Sequence, residues 1–280
     1  MKRAMFTVDG LPIFGPEQVA ALRMTLAGLF LVPFGWNKLK ALWGKDGPYL
    51  IISGVLGSTI PAFLFTAAQQ EIASALAGML NALTPLFTFG IGLLFFRMPF
   101  ERRRLIGVLI GLLGAISLLY FKQESPFQMN VYALLIVCAT VCYGTNINIL
   151  KRFLSHRPSL MVSALSLMVV APFTAVIAWR LDTVSVLLGH EQGWEALGYV
   201  AILAAISTSL GLILFNRLIQ LESALFASSV TYFIPIAAIG WGVWDGERIS
   251  VMQYVGIALI LFGVWVVNRK KRTKNISPTD

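Results

Sequence analysis

Residues 73–96 read ASALAGMLNALTPLFTFGIGLLFF. The stretch holds no charged side chain and exceeds the roughly 20 apolar residues that carry a helix through a bilayer. Its polar residues Ser74, Asn81, Thr84 and Thr88 are spaced by seven, three and four, so they share one helical face. Pro85 follows, and then the pair Gly90 and Gly92. Shifted by 150 positions, the same landmarks return in SALFASSVTYFIPIAAIGWGVWDGERIS (223–250). Ala77, Pro85, Gly90 and Gly92 become Ala227, Pro235, Gly240 and Gly242.

The register extends in both directions. Ile52 meets Ile202, Leu64-Phe65 meets Leu214-Phe215 and Gln70 meets Gln220; at an offset of 149, Gly107 and Gly114 meet Gly256 and Gly263. Prolines and glycines in constant register mark an internal duplication. The apolar stretches make nine candidate spans: 18–36, 49–68, 72–96, 105–121, 131–150, 159–179, 196–216, 223–244 and 249–268. The expected fold is an all-α membrane protein of nine transmembrane helices, drawn from a 5+5 inverted-repeat plan of ten. Residues 1–121 form the first repeat with four helices, 122–130 a linker, 131–268 the second repeat with five, and 269–280 a basic tail. The counterpart of 131–150 would fall before residue 1, so the first helix of the plan is expected to be missing. An odd number of spans per copy inverts one copy relative to the other, a plan that places substrate near the midplane.

Composition agrees. Of 280 residues, 57% are hydrophobic and 12% charged, with a mean hydropathy of +0.77. Soluble domains carry about 25% charged residues. A soluble enzyme, a disordered chain and a nucleic-acid-binding module are excluded. The net charge of +9 is explained by position, since 16 of the 22 Lys and Arg residues fall on one side if the C-terminus is cytoplasmic. Among them are Lys38, Lys40, Lys45, Arg102–Arg104, Lys151, Arg152, Arg157 and the tail; Arg23 alone falls inside a span. Trp36, Trp43, Trp179, Trp194 and Trp244 lie near span ends as interfacial anchors. Cys138 and Cys142 are too few for a disulfide framework, and His156 and His190 form no ligand cluster.

The chain resembles the EamA group of the drug/metabolite transporter superfamily. The resemblance rests on GPEQVAALRMTLAGLFLVP (15–33), on the two quoted stretches and on LIGVLIGLLGAISLL (105–119). It implies ten helices in two five-helix repeats, a bacterial inner membrane, and a central cavity lined here by the spans at 49, 72, 131, 196 and 223. Gly246-Glu247-Arg248 keeps the family's turn after the fourth helix of the second repeat, whereas the first reads Phe96-Arg97-Met98.

No Asp or Glu lies deep in any span; Glu71 and Glu222 sit at equivalent helix starts. The cavity candidates are therefore neutral: Asn81 and Thr84, Thr59 and Thr66 with their equivalents Ser209 and Asn216, Tyr143 and Asn146, and Thr231 and Tyr232. Asn81 has an amide to satisfy in an apolar medium, which favours a wet cavity; threonines also bond their own backbone, so for Thr84 packing is equally open. Pro85 and Pro235 are hinge candidates, with a tolerated kink as the alternative. Gly107-x-x-x-Gly111 with Gly114 permits close helix packing.

The expected function is a transporter, with export of amino acids or related small metabolites taken from the resemblance, working by alternating access of the two repeats. The competing readings are an inactive remnant lacking its first helix and a membrane-embedded enzyme on a lipid-linked substrate. No phosphate loop, metal-ligand spacing or nucleophile–base pair supports catalysis. The expected partners are the bilayer and a small-molecule substrate, with no nucleic acid, no cofactor and no metal; a homodimer stays open.

Overall fold

The computed structural model describes residues 13–68, 70–72, 74–120, 131–237 and 251–269, and their regular structure is helical throughout. Helix α1 (Pro16–Gly35) starts after the extended Gly15, with Pro16 in the first turn where its missing N–H costs nothing. The Gly15 amide donates to Gln18 Oε1 at 2.7 Å. A 3-10 stretch, Trp36–Trp43, continues the rod. Helix α2 (Gly47–Ala68) contains a π-helical turn at Val55–Thr59.

The uninterrupted span expected at 72–96 is instead two helices, α3 (Ser74–Asn81) and α4 (Thr84–Phe95). Pro85 has no N–H for the Asn81 carbonyl, and its ring crowds that carbonyl. The chain breaks at 82–83 and puts Pro85 in the first turn of α4, while the Thr84 hydroxyl donates to the freed Asn81 carbonyl at 2.8 Å. Next come α5 (Arg102–Tyr120), α6 (Val131–Leu154, ending in a π turn), α7 (Ser159–Arg180) and the short α8 (Thr183–Gly189). Helix α9 (Gly193–Leu221) has a π-helical segment at Leu203–Leu210. Helix α10 (Ala224–Ala237) tightens to a 3-10 turn at Val230–Tyr232, three residues before Pro235, and α11 (Val251–Asn268) closes the described chain.

Among the described residues, five helices are long and apolar enough to cross a membrane by themselves: α1 with its 3-10 extension, α2, α6, α7 and α9. Large apolar side chains face outward along the rods, with Leu94 79%, Phe173 68% and Leu214 61% exposed. Trp36, Trp43, Trp179 and Trp194 are exposed near helix ends. A multi-pass membrane protein has this inside-out character because lipid, not water, bathes its flanks.

Two antiparallel pairs form the tightest packing. A Cβ on Gly28 of α1 would meet the Leu167 carbonyl of α7 at 2.8 Å. On α5, a Cβ at Gly107 would meet the Gly263 carbonyl at 2.9 Å, and one at Gly114 the Gly256 carbonyl at 2.8 Å. Backbones approach this closely only through small residues, which bring helices together where lipid supplies no hydrophobic drive.

The two ends of the bundle differ. At the end with the basic loops, Leu50, Ile147, Leu154, Leu165, Ile219 and Ala227 join one core, with Tyr49 packed on it. The Tyr49 and Phe153 rings stack there, centroids 4.1 Å apart. At the other end the cores stay separate. Ala68, Ala77 and Ile136 form one, while Phe14, Val19 and Val200 form another.

Candidate functional site

A cavity of about 490 Å³ lies at the middle of the bundle, within the range of small-ligand sites. Its wall takes residues from α1 (Arg23, Met24), α2 (Gly57, Ser58, Pro61, Ala62, Phe65, Thr66), the α3–α4 break (Asn81, Thr84) and α6 (Tyr143, Asn146, Ile147). Helix α9 adds Ser207, Thr208, Gly211, Leu212 and Phe215, and α10 adds Thr231 and Ile234. All five spans implied by the resemblance contribute, and α1 joins them.

The irregular turns shape this space. A π turn shifts the helical register and misaligns its carbonyls. In α2 the Thr59 hydroxyl donates five residues back to the Gly54 carbonyl, at 3.2 Å. In α9 Thr208 and Ser209 do the same to Leu203 and Ala204, at 3.3 and 2.9 Å. Gly57 at the α2 turn lies so close to Asn146 that a Cβ would collide with its amide. The Asn146 side chain is 5% exposed, and its Oδ1 is buried with no hydrogen-bond partner.

Six of the ten sequence candidates therefore share one wall: Asn81, Thr84, Thr66, Tyr143, Asn146 and Thr231. Four sit elsewhere. Thr59 holds the α2 turn, and Ser209 donates to Ala27 as well as Ala204. Asn216 Nδ2 donates to Ser163 Oγ at 2.8 Å, tying α9 to α7. Tyr232 is fully buried, and its hydroxyl donates to the Val108 carbonyl of α5 at 2.8 Å. Pro85 and Pro235 each follow the irregular turn in their helix. Thr88 bonds the Thr84 carbonyl, and Asn148 spans from α6 to the Thr88 carbonyl. Gly240, Trp241, Gly242, Trp244, Gly246, Glu247, Arg248 and the Ser74 side chain lie outside the described residues.

Sequence reasoning missed Arg23, Ser58, Ser207 and Thr208. Arg23 is half-buried, and its Nε donates to Thr208 Oγ1 at 2.6 Å. The signal is present in the sequence, because an ionisable residue inside an apolar span marks a functional position by default.

The basic-loop end carries the other charged cluster. Arg157 Nη2 and Nε both lie 2.6 Å from Asp46 Oδ2, and His156 Nε2 lies 3.3 Å from it. Burial alone would raise the Asp46 carboxyl. Its hydrogen bond and charge contact with Arg157, then those with His156, outweigh burial and hold it below the usual carboxylate range. Gln220 Nε2 donates to the Arg157 carbonyl at 2.8 Å and Lys151 Nζ to the Gln220 carbonyl at 3.0 Å, so three loops are tied together.

The model of the EamA-like transporter family matches residues 5–120 and again 130–269. An uncharacterized transporter of Archaeoglobus fulgidus is 24% identical over 260 residues, covering 91% of this chain and 90% of its own. The uncharacterized inner membrane transporter YedA of Escherichia coli is 26% identical over 277 residues, covering 94% and 84%. A Salmonella typhimurium protein named as a probable amino-acid metabolite efflux pump is 22% identical over 228 residues, covering 77% and 75%. One solved crystal structure superposes with a TM-score of 0.68 at 18% identity, covering 90% of this chain and 87% of that one, a likeness of fold alone.

Proposed function

Because this chain belongs to the EamA-like transporter family, we propose that it exports small organic metabolites across a bacterial inner membrane by alternating access of two inverted repeats. The observation that carries the reading is the central cavity, walled by residues of both copies, with polar groups set among apolar ones. Export and the metabolite class draw on the efflux-pump relative, and the membrane on the Escherichia coli one.

Inverted repeats are supported by the reciprocity of the contacts. Gly107 and Gly114 have Gly256 and Gly263 as equivalents, and each touches the other's equivalent: Gly107 meets Gly263, and Gly114 meets Gly256. A two-fold relation with its axis running across the helices exchanges partners in this way and makes the mates antiparallel. Thr25 and Thr174, also 149 apart, share a 2.9 Å hydrogen bond, as residues lying on that axis would. The π turns of α2 and α9, and the breaks before Pro85 and Pro235, repeat in the same register. Pro85 and Pro235 then serve as paired hinges, and the sealed basic-loop end is the cytoplasmic gate.

Reconstitution into liposomes tests the transport reading. Vesicles preloaded with a mixture of isotopically labelled amino acids and organic acids should lose at least one class faster than protein-free vesicles. Equal retention of every class would overturn it.

A further inference from the structure

Arg23 is the one charged side chain in the cavity wall among the described residues. A guanidinium offers five N–H donors. Thr208 accepts from Nε, and no hydrogen bond or ion pair within the described residues takes the others. Thr208 is itself pinned to the Leu203 carbonyl by the π segment, so the contact fixes Arg23 between α1 and α9. A cation withdrawn from water without a counter-charge is costly, and the cost falls when an anion arrives. Asn146 belongs to the same wall, and its Oδ1 is buried with no hydrogen-bond partner. The rest of the wall is mostly apolar, with Pro61, Phe65, Leu212 and Phe215 beside neutral hydroxyls and the Asn81 amide.

We propose that the cavity selects an organic monoanion, its carboxylate paired with Arg23, its neutral N–H or O–H donor on Asn146 Oδ1, and an apolar body against the aromatic wall. The planar guanidinium fork matches a carboxylate in a way that a point charge does not. One cation balances one negative charge, so a phosphate dianion or a diacid would remain uncompensated. No carboxylate among the described wall residues would receive an ammonium, which sets a net anion apart from a zwitterion. The assignment rests on the transporter reading only for the statement that the bound molecule moves.

Four probes of one shape and different charge decide it. They are N-acetyl-L-phenylalanine (anion), L-phenylalanine (zwitterion), L-phenylalaninamide (cation) and N-acetyl-L-phenylalaninamide (neutral). Binding to the full chain in detergent is measured by titration calorimetry, and uptake of the same probes in liposomes. The anion should bind at least tenfold tighter than each of the others. Arg23→Gln should remove a roughly 10- to 100-fold margin of anion over neutral probe, with a monodisperse gel-filtration peak in detergent as the sign of a folded protein. Arg23→Lys keeps the charge without the fork, and should lose several-fold of the margin even if the glutamine variant fails to fold. Asn146→Asp should turn the preference from anion to zwitterion or cation. Equal binding of neutral, cationic or zwitterionic probe by the wild type would overturn the proposal, as would an undiminished margin in Arg23→Gln or binding of no probe. Tight anion binding without uptake would leave this site standing and overturn the transport reading instead.

Discussion

Thr231 and Tyr232 are neighbours with different surroundings: the threonine faces the cavity, while the tyrosine is buried against α5. Successive helical residues point about 100° apart, so a pattern of polar residues names the helix more surely than the side chain. Tyr232→Phe removes a buried hydrogen bond and should cost about 0.5–1.5 kcal/mol of stability. Melting in detergent should fall while ligand affinity stays unchanged; a drop in affinity with unchanged melting would return Tyr232 to the site. Gly57→Ala acts the opposite way. Its Cβ collides with the Asn146 amide, so transport should fall through displacement of Asn146, with about 1–3 kcal/mol of overpacking cost. Legibility at this scale was limited by hydrogen bonds to partners distant in the sequence. The Val108 carbonyl that takes Tyr232, and Ser163 that takes Asn216, are 124 and 53 residues away. The spacing rule places polar residues on a face but is blind to what that face meets.

Most of the described helices were legible to within a few residues of their ends, whereas α8 and the irregular turns were not. A proline within an apolar run reads as a kink, yet at Pro85 the chain starts a new helix because Thr84 can satisfy the carbonyl that proline abandons. The π turns left no mark that hydropathy could register. Their hydroxyl ties to carbonyls five residues back are what distinguish Thr59, Thr208 and Ser209 from other helix threonines and serines. The glycines split the same way. Gly263→Leu should separate α5 from α11, since even a Cβ would meet the Gly107 carbonyl at 2.7 Å. The variant should lose its monodisperse gel-filtration peak in mild detergent. Gly90 has open space around it, and Gly90→Ala should raise stability by about 0.5–1 kcal/mol. A Gly90→Ala protein as damaged as Gly263→Leu would show that glycine there does something other than spare space.

At the scale of the whole molecule, the proposed closure of the basic-loop end draws on the contact of Asp46 with Arg157. Its carboxyl is held below the usual range, so the pair stabilises closure above the ordinary carboxylate value and loses it as pH falls through the lowered one. With spin labels at 50 and 227 in a background with Cys138 and Cys142 replaced, the label distance should stay constant from about pH 8 to 5 and lengthen only below about 3.9. Asp46→Asn should lengthen that distance at every pH, and a strong change near neutrality would take control of closure away from Asp46. The sealed end also carries a template for its opposite. Tyr49, Leu50 and Ala227, joined there, have as equivalents Tyr199, Val200 and Ala77, which belong to the two cores that stand apart at the far end. If each repeat takes up the posture of its mate, those two cores merge as the sealed one divides. Spin labels at 77 and 200 would then draw together while labels at 50 and 227 separate, with Thr25 and Thr174 as the fulcrum between them.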